Sequence, residues 1–255
     1  LAEFNDALAK AKATGKYDYA ISLGTGWDGE WYPYGFSPLL QSFGGDLINR
    51  KTNKTAEGVL NGAAAVAWGK WFQNIFAQGL APKKETADQR DNGFVTGKIA
   101  YQWNGSWAAA TAAEKLGSDF IALPPPNLGT KAYIGGGSWQ WAVSSTCANK
   151  AGANAWLQFA LQTKYLTKFA DDLFNLPITA DATKASKVFG PGSKYSAFAT
   201  YSAKFALIRP ATPAYPVIAK IYESATKDII NGADVQKTLD SAVDQIDKNL
   251  KDNYF

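Results

Sequence analysis

Apolar positions recur at helical spacing over residues 1–13, where Phe4, Leu8 and Ala11 share a face. Thr14-Gly15 ends that pattern. Tyr17 to Leu23 then alternates like a strand, and Phe36 to Phe43 reads as a helix closed by Gly44-Gly45. The longest amphipathic run is 58–78. Its stripe of Ala64, Ala67, Trp68, Trp71, Phe72 and Ile75 predicts a helix with one face in the core, closed by Gly79-Leu80-Ala81-Pro82. A short helix over about 86–95 leads into a strand at 99–103, an Ala-rich helix over 108–116 and a short strand at 120–123. Helices follow at 150–161, 164–174, roughly 193–206, 214–231 and 234–251. Pro216 falls in a first turn, where a missing N–H is harmless, Asn231-Gly232 stops that helix, and Asp234 is a candidate N-cap for the last.

The segments between are as informative. Residues 24–35, Gly-Thr-Gly-Trp-Asp-Gly-Glu-Trp-Tyr-Pro-Tyr-Gly, hold too much glycine for regular structure and too many aromatics for a bland linker. Trp27, Trp31 and Tyr32 beside Asp28 and Glu30 make this loop a candidate binding element, since loops on a rigid scaffold are where binding chemistry concentrates. Pro124-Pro125-Pro126-Asn127-Leu128-Gly129 excludes regular structure, and Gly135-Gly136-Gly137-Ser138-Trp139 predicts a turn entering a strand at about 140–144. Pro177 opens an irregular stretch to about Gly192. Trp103 and Trp141, inside predicted strands, read as core. No internal repeat or heptad array interrupts the pattern.

Composition narrows the chemistry. The 255 residues are 46% hydrophobic and 19% charged, which suits a globular protein of one or two domains. No apolar run is long enough to cross a bilayer. The net charge is +4 with dispersed lysines, so nucleic acid is not expected as a partner. Histidine is absent and Cys147 is the single cysteine, expected as a small buried residue. That removes Cys/His zinc sites, Ser-His-Asp triads and an intrachain disulfide framework. No metal or other cofactor is expected. Aromatics make up 14% of the chain, which fits a carbohydrate binder: a Trp face covers the C–H face of a pyranose while polar groups meet its hydroxyls. Met is absent even at position 1, and the first helix opens without a cap, so the chain is expected to lack its true start.

The stretch Gly97-Lys98-Ile99-Ala100-Tyr101-Gln102-Trp103-Asn104-Gly105-Ser106-Trp107 sets a large ring at a strand-to-helix corner. It resembles a motif of the extracellular solute-binding proteins of carbohydrate ABC importers, the maltose-binding-protein-like family. Leu1–Gly15, the Gly135–Trp139 turn before Ala142-Val143-Ser144, and Arg209-Pro210 … Pro213-Ala214-Tyr215-Pro216 with the closing helix pair carry the same resemblance. Ser138 stands where that family commonly has Gly.

The resemblance implies an α/β, periplasmic-binding-protein-like two-lobe fold (type II), here mostly the C-terminal lobe, lacking the family's first roughly 130 residues. Residues 1–125 and 187–255 would form the C-terminal lobe and 134–180 part of the N-terminal lobe, with 126–133 and 181–186 as hinge crossings. It also implies a sugar held between hinged lobes and passed to membrane permease subunits, with the protein a monomer, periplasmic or extracellular, free or lipid-anchored. On the matched positions Trp107, Trp139 and one ring among Trp27, Trp31 and Tyr32 would stack on sugar. Tyr215 and Arg209 would approach hydroxyls, Asp28 and Glu30 would accept hydrogen bonds from them, and Gly136 and Gly137 would allow close backbone approach.

Other readings stay open on the residues alone. A glycoside hydrolase needs two carboxylates flanking a scissile bond, and neither Asp28/Glu30 nor Asp171-Asp172 has that signature. A polyamine, thiamine or iron carrier of the same fold would want more acids, or His, than the chain offers. A free-standing lectin fits the helix-rich pattern poorly.

Overall fold

The computed structural model describes residues 1–137 and 139–254. The described chain divides into two compact units. The first comprises Leu1–Asn104, Pro124–Gly136 and Phe205–Phe255; the second comprises Gly105–Leu123 and Gly137–Lys204. These divisions fall elsewhere than the expected lobe boundaries. Residues 105–123 and 187–204 cluster with 137–186, and the whole segment expected as a first crossing, 126–133, falls in the larger unit.

The larger unit is built around β1 (Tyr19–Ser22) and β2 (Ile99–Gln102), paired in parallel with Tyr19 opposite Ile99 and Ile21 opposite Tyr101. A parallel pair needs a long crossover, and α2 (Ser37–Phe43), α3 (Ala63–Ala77) and α4 (Ala87–Asn92) supply it. α1 (Ala2–Ala13) precedes β1, and α10 (Tyr215–Asn231) and α11 (Val235–Tyr254) close the chain. The core gathers Leu8 of α1, Ile21 of β1, Phe36, Trp68 and Phe72 of α3, Tyr222 of α10 and Ile246 of α11. Trp68 is nearly parallel to both Phe72 and Tyr222, at ring separations of 5.4 and 5.8 Å. Gly69 lets α11 approach α3: a Cβ there would stand 2.5 Å from Val235. Gly232 ends α10 in the left-handed conformation, and Asp234 accepts from the Lys237 N–H, as expected of an N-cap.

A second parallel ribbon pairs β3 (Ile134–Gly136) with β4 (Ala206–Ile208) in the same unit. β4 takes the last residue of the expected 193–206 helix, Ala206, and continues to Ile208. The Gly-rich turn is β3 itself, and Ser138 lies outside the described residues.

The smaller unit holds α5 (Ala109–Leu116), α6 (Lys150–Ala160), α7 (Thr163–Leu173), α8 (Ala180–Ala185) and α9 (Ser196–Phe205). α8 was not expected; Thr179 caps it by accepting from the Ala182 N–H. Neither expected strand, at 120–123 or 140–144, forms among the described residues, and neither segment is paired with another there. The alternation signal marks a strand only where a partner accepts it. The unit buries little: Ala109, Ala112, Ala170, Ala182 and Phe189 are its buried apolar residues. It carries most of the exposed large apolar side chains, among them Ile121, Trp141, Trp156, Phe159 and Phe169. Trp141, expected in the core, is exposed against the edge of Trp156. Cys147 is half-buried rather than buried.

Candidate functional site

Loop 24–36 is held at several points in the larger unit. It rests on Glu85, only 4% exposed, whose carboxylate accepts from the Leu23 N–H (2.8 Å), the Gly24 N–H (3.1 Å) and the Ser22 hydroxyl (3.1 Å). Burial pushes the Glu85 carboxyl above its ordinary value, and these hydrogen bonds work against that shift. Gly26 allows the contact, since a Cβ there would lie 2.4 Å from the Glu85 carbonyl oxygen. The loop then turns into a π-helical segment, Tyr32–Phe36, that runs directly into α2. The expectation of wholly irregular structure over 24–35 fails at this end.

Trp31 is seated by glycine. A Cβ at Gly24, which has φ +74°, or at Gly35 would press into its ring, and its indole N–H donates to the Leu23 carbonyl at 2.9 Å. Trp27 meets it edge-on at 4.4 Å and lies under the Arg90 guanidinium. Both indoles are half-buried. Tyr32 is a correction: at 2% exposed it is a core residue, packed edge-on against Phe36, and cannot present a stacking face. Burial lifts its hydroxyl to about 12.

Three successive residues at the loop's tip are tied down. Asp28 accepts from Lys227 Nζ at 2.7 Å, which holds its carboxyl below the usual range. The Gly29 N–H donates to Glu223 Oε1 at 2.8 Å. Glu30 Oε1 accepts from Arg209 Nε at 2.6 Å and from the Tyr215 hydroxyl at 2.8 Å. Lys227 also donates to Glu223 and lies 5.0 Å over the Tyr32 ring. Burial works against its ammonium, but Asp28 and Glu223 outweigh it and raise its pKa. Arg209 further donates to the Gly136 carbonyl at 2.8 Å and covers the Tyr34 ring at 4.9 Å. Burial first, then the bond to Glu30, raises the Tyr215 hydroxyl.

The sequence-predicted residues Asp28, Glu30, Arg209, Tyr215 and Gly136 therefore come together with Trp27 and Trp31 in one unit. Both carboxylates, however, are already bonded to cations, and Gly136 is buried in β3 with its carbonyl taken by Arg209. The close approach at the glycine run is to the protein itself: a Cβ on Gly135 would stand 2.5 Å from the Tyr34 carbonyl oxygen. Gly137 is exposed with φ +147°, a conformation that favours glycine.

Trp107 and Trp139 belong to the smaller unit. Trp107 sits in the 3-10 turn Ser106–Ala108 that opens α5, 41% exposed, its ring so close over Gly105 that a Cβ there would collide with it. Trp139 is 97% exposed. A groove of about 530 Å³ in the larger unit, lined by Glu3, Asp6, Lys10, Tyr17 and Tyr101 among others, involves none of the candidate residues. No group of His, Cys, Asp or Glu among the described residues could hold a metal ion.

Residues 1–200 match the family model described as bacterial extracellular solute-binding protein. The chain belongs to that family. No curated protein matches the sequence. Among solved structures, the solute-binding protein resembles the extracellular solute-binding protein of Staphylococcus aureus in complex with maltose. The two are 20% identical with a TM-score of 0.74, over 100% of this chain and 65% of that one. It is similar to a solute-binding protein of Thermotoga lettingae bound with α-D-tagatose (17%, TM-score 0.79, 97% and 63%). A third is the maltose-binding periplasmic protein of Listeria monocytogenes in complex with maltose (22%, TM-score 0.71, 100% and 67%). The likeness establishes the periplasmic-binding-protein fold, and the chain spans about 65% of the length of the first of these proteins. Family and structural neighbours alike are binding proteins rather than enzymes. No helix among the described residues is long and apolar enough to cross a membrane.

Sequence reasoning missed four participants in this solute-binding protein: Glu85, Arg90, Glu223 and Lys227. Glu223 and Lys227 were visible only as an i, i+4 pair on a helix, a pattern that ordinarily marks a solvated face. Glu85 follows two lysines and carries no signal of burial at all.

Proposed function

We propose that this chain is the solute-recognition part of a carbohydrate ABC importer, binding a mono- or oligosaccharide and delivering it to membrane permease subunits. The observation that carries the reading is the joint one of family membership and a tryptophan- and carboxylate-bearing loop held ready on a rigid scaffold. Maltose and tagatose in the structural neighbours point the same way. Trp107, Trp139 and Trp27 are the proposed stacking faces, with Trp31 as the support of Trp27. Glu30 uses Oε1 for both of its contacts, which leaves Oε2 as the proposed acceptor for a sugar hydroxyl. Arg209 and Tyr215 line the same position, and Gly137 is the proposed point of close backbone approach.

The lobe assignment is part of the proposal. Residues 1–125 and 187–255 are assigned to a C-terminal lobe and 134–180 to part of an N-terminal one, with a hinge-bending clamp as mechanism. No catalytic step, cofactor or nucleic acid is assigned, and the protein acts as a monomer in the periplasm or outside the cell, free or held by a lipid anchor. Isothermal titration of the full-length protein with mono- to tetrasaccharides tests the reading. Saturable binding of at least one sugar is expected; binding of a polyamine or other cation with no response to any sugar overturns it.

A further inference from the structure

We propose that Glu223 and Lys227 of α10 are positioning residues, forming with Arg209 and Tyr215 an ionic latch that fixes the tip of loop 24–36. As far as it concerns ligand, this rests on the reading of that loop as part of a sugar site. The geometry of the latch is independent of that reading.

Asp28, Gly29 and Glu30 are each bonded to a different group, and all the holding side chains come from two neighbouring segments. Lys227 takes Asp28, Glu223 takes the Gly29 N–H, and Arg209 with Tyr215 takes Glu30. Tyr215 and Lys227 lie twelve residues apart, so the tip is braced along roughly 18 Å of helix. Bracing at two ends fixes direction as well as position, which a single contact does not. Gly29, at φ +66°, provides the turn that lets Asp28 and Glu30 reach opposite ends of the brace.

Burial separates this role from a stabilising one. The Asp28 side chain is 72% exposed and that of Glu30 48%, against 16% for Glu223. Exposed ion pairs contribute little to global stability and are screened by salt. Loop 24–36 is already attached below the tip by Glu85, the Trp31 indole and Tyr32. The latch therefore acts on where Trp27 and Glu30 point, with the fold secured by other contacts. Glu223 anchors the device: it orients Lys227 through the i, i+4 bond while receiving the loop backbone itself.

Hydrogen exchange on the full-length protein, read by mass spectrometry over peptides covering residues 24–36, tests the latch without any ligand. Lys227→Met is expected to speed exchange there roughly three- to tenfold, with α3 and α11 unchanged. In the parent protein, raising NaCl from 0.1 to 1 M moves loop exchange toward the level of the variant, whose own salt response is smaller because only the Arg209–Glu30 pair is left to screen. Unchanged loop exchange in the variant, or salt-independent exchange in the parent, overturns the proposal. Should Lys227→Met loosen the whole molecule, Asp28→Asn decides, because it alters only an exposed carboxylate: loop-confined acceleration supports the latch and none refutes it. Maltose and maltotriose titrations on the same proteins add the functional arm, in which the variant weakens binding and reduces its salt dependence. If the parent binds no saccharide, the sugar reading fails while the exchange data still decide the latch.

Discussion

Replacing Glu85 separates hydrogen bonding from charge beneath the aromatic loop. In Glu85→Ala the Leu23 and Gly24 N–H groups, both buried, lose their acceptor. A buried donor left unpaired costs about 1–3 kcal/mol, so two cost about 2–6 kcal/mol. The Ser22 hydroxyl can rotate to another partner and adds little. Removing a desolvated carboxylate returns part of this, which sets the expected loss at about 2–4 kcal/mol. Glu85→Gln keeps an acceptor oxygen at the same distance and is expected to cost less than about 1 kcal/mol at neutral pH.

The two substitutions also separate in their pH dependence. The folded-state pKa of Glu85 is raised above its ordinary 4.5, so the folded protein holds this proton more tightly than the unfolded chain does. The contribution of Glu85 is then fully present below 4.5 and is lost as pH rises through the folded value. Glutamine has no such slope, and the stability of Glu85→Gln relative to the parent rises between pH 4 and pH 7. Urea unfolding followed by tryptophan fluorescence at several pH values measures both effects. Equal costs for Ala and Gln, or an Ala cost below about 1 kcal/mol, would refute the argument that this carboxylate holds the loop through its buried acceptor role.

Further outcomes follow from the same geometry. Trp107→Ala should abolish most saccharide affinity in calorimetry with little change in melting temperature, since the ring is exposed; unchanged affinity removes Trp107 from the site. Gly26→Ala forces a Cβ to within 2.4 Å of the Glu85 backbone and should destabilise by about 1–3 kcal/mol, measured as a lowered urea midpoint. Trp68→Ala removes the centre of a fully buried aromatic stack and should cost about 3–5 kcal/mol, with a loss near 1 kcal/mol counting against the described packing.

Helices of the larger unit were legible in the sequence because each carries its own period and its own stop, as with Gly44, Gly79 and Gly232. Their boundaries moved where turn chemistry intervened: the run at 58–78 becomes helical only from Ala63. Strands were legible at 19–22 and 99–102, where alternation runs over several residues, and misread at 120–123 and 140–144. β4 hid behind the apolar end of a helix because three residues are too few to show a period. At the site, the sequence marked the aromatic loop and the segment 209–216 separately. Their meeting, through Glu30, Arg209 and Tyr215, depends on contacts 179 and 185 residues apart in the chain, which no local pattern encodes. Tyr32 looked like a binding ring because it follows the exposed tip Asp28–Glu30 in an aromatic loop, but the π-helical turn sets it in the core.

The nine tryptophans divide cleanly between the two units. Trp27, Trp31, Trp68, Trp71 and Trp103 are buried or half-buried in the larger one, whereas Trp107, Trp139, Trp141 and Trp156 are exposed in the smaller. The emission spectrum is thus spatially coded. Indoles more exposed to water emit further to the red and are quenched more by iodide than the more shielded ones. A single cuvette with and without quencher then weights the two units differently, so an unfolding curve or a ligand-induced change carries a sign of which one it began in without adding a label.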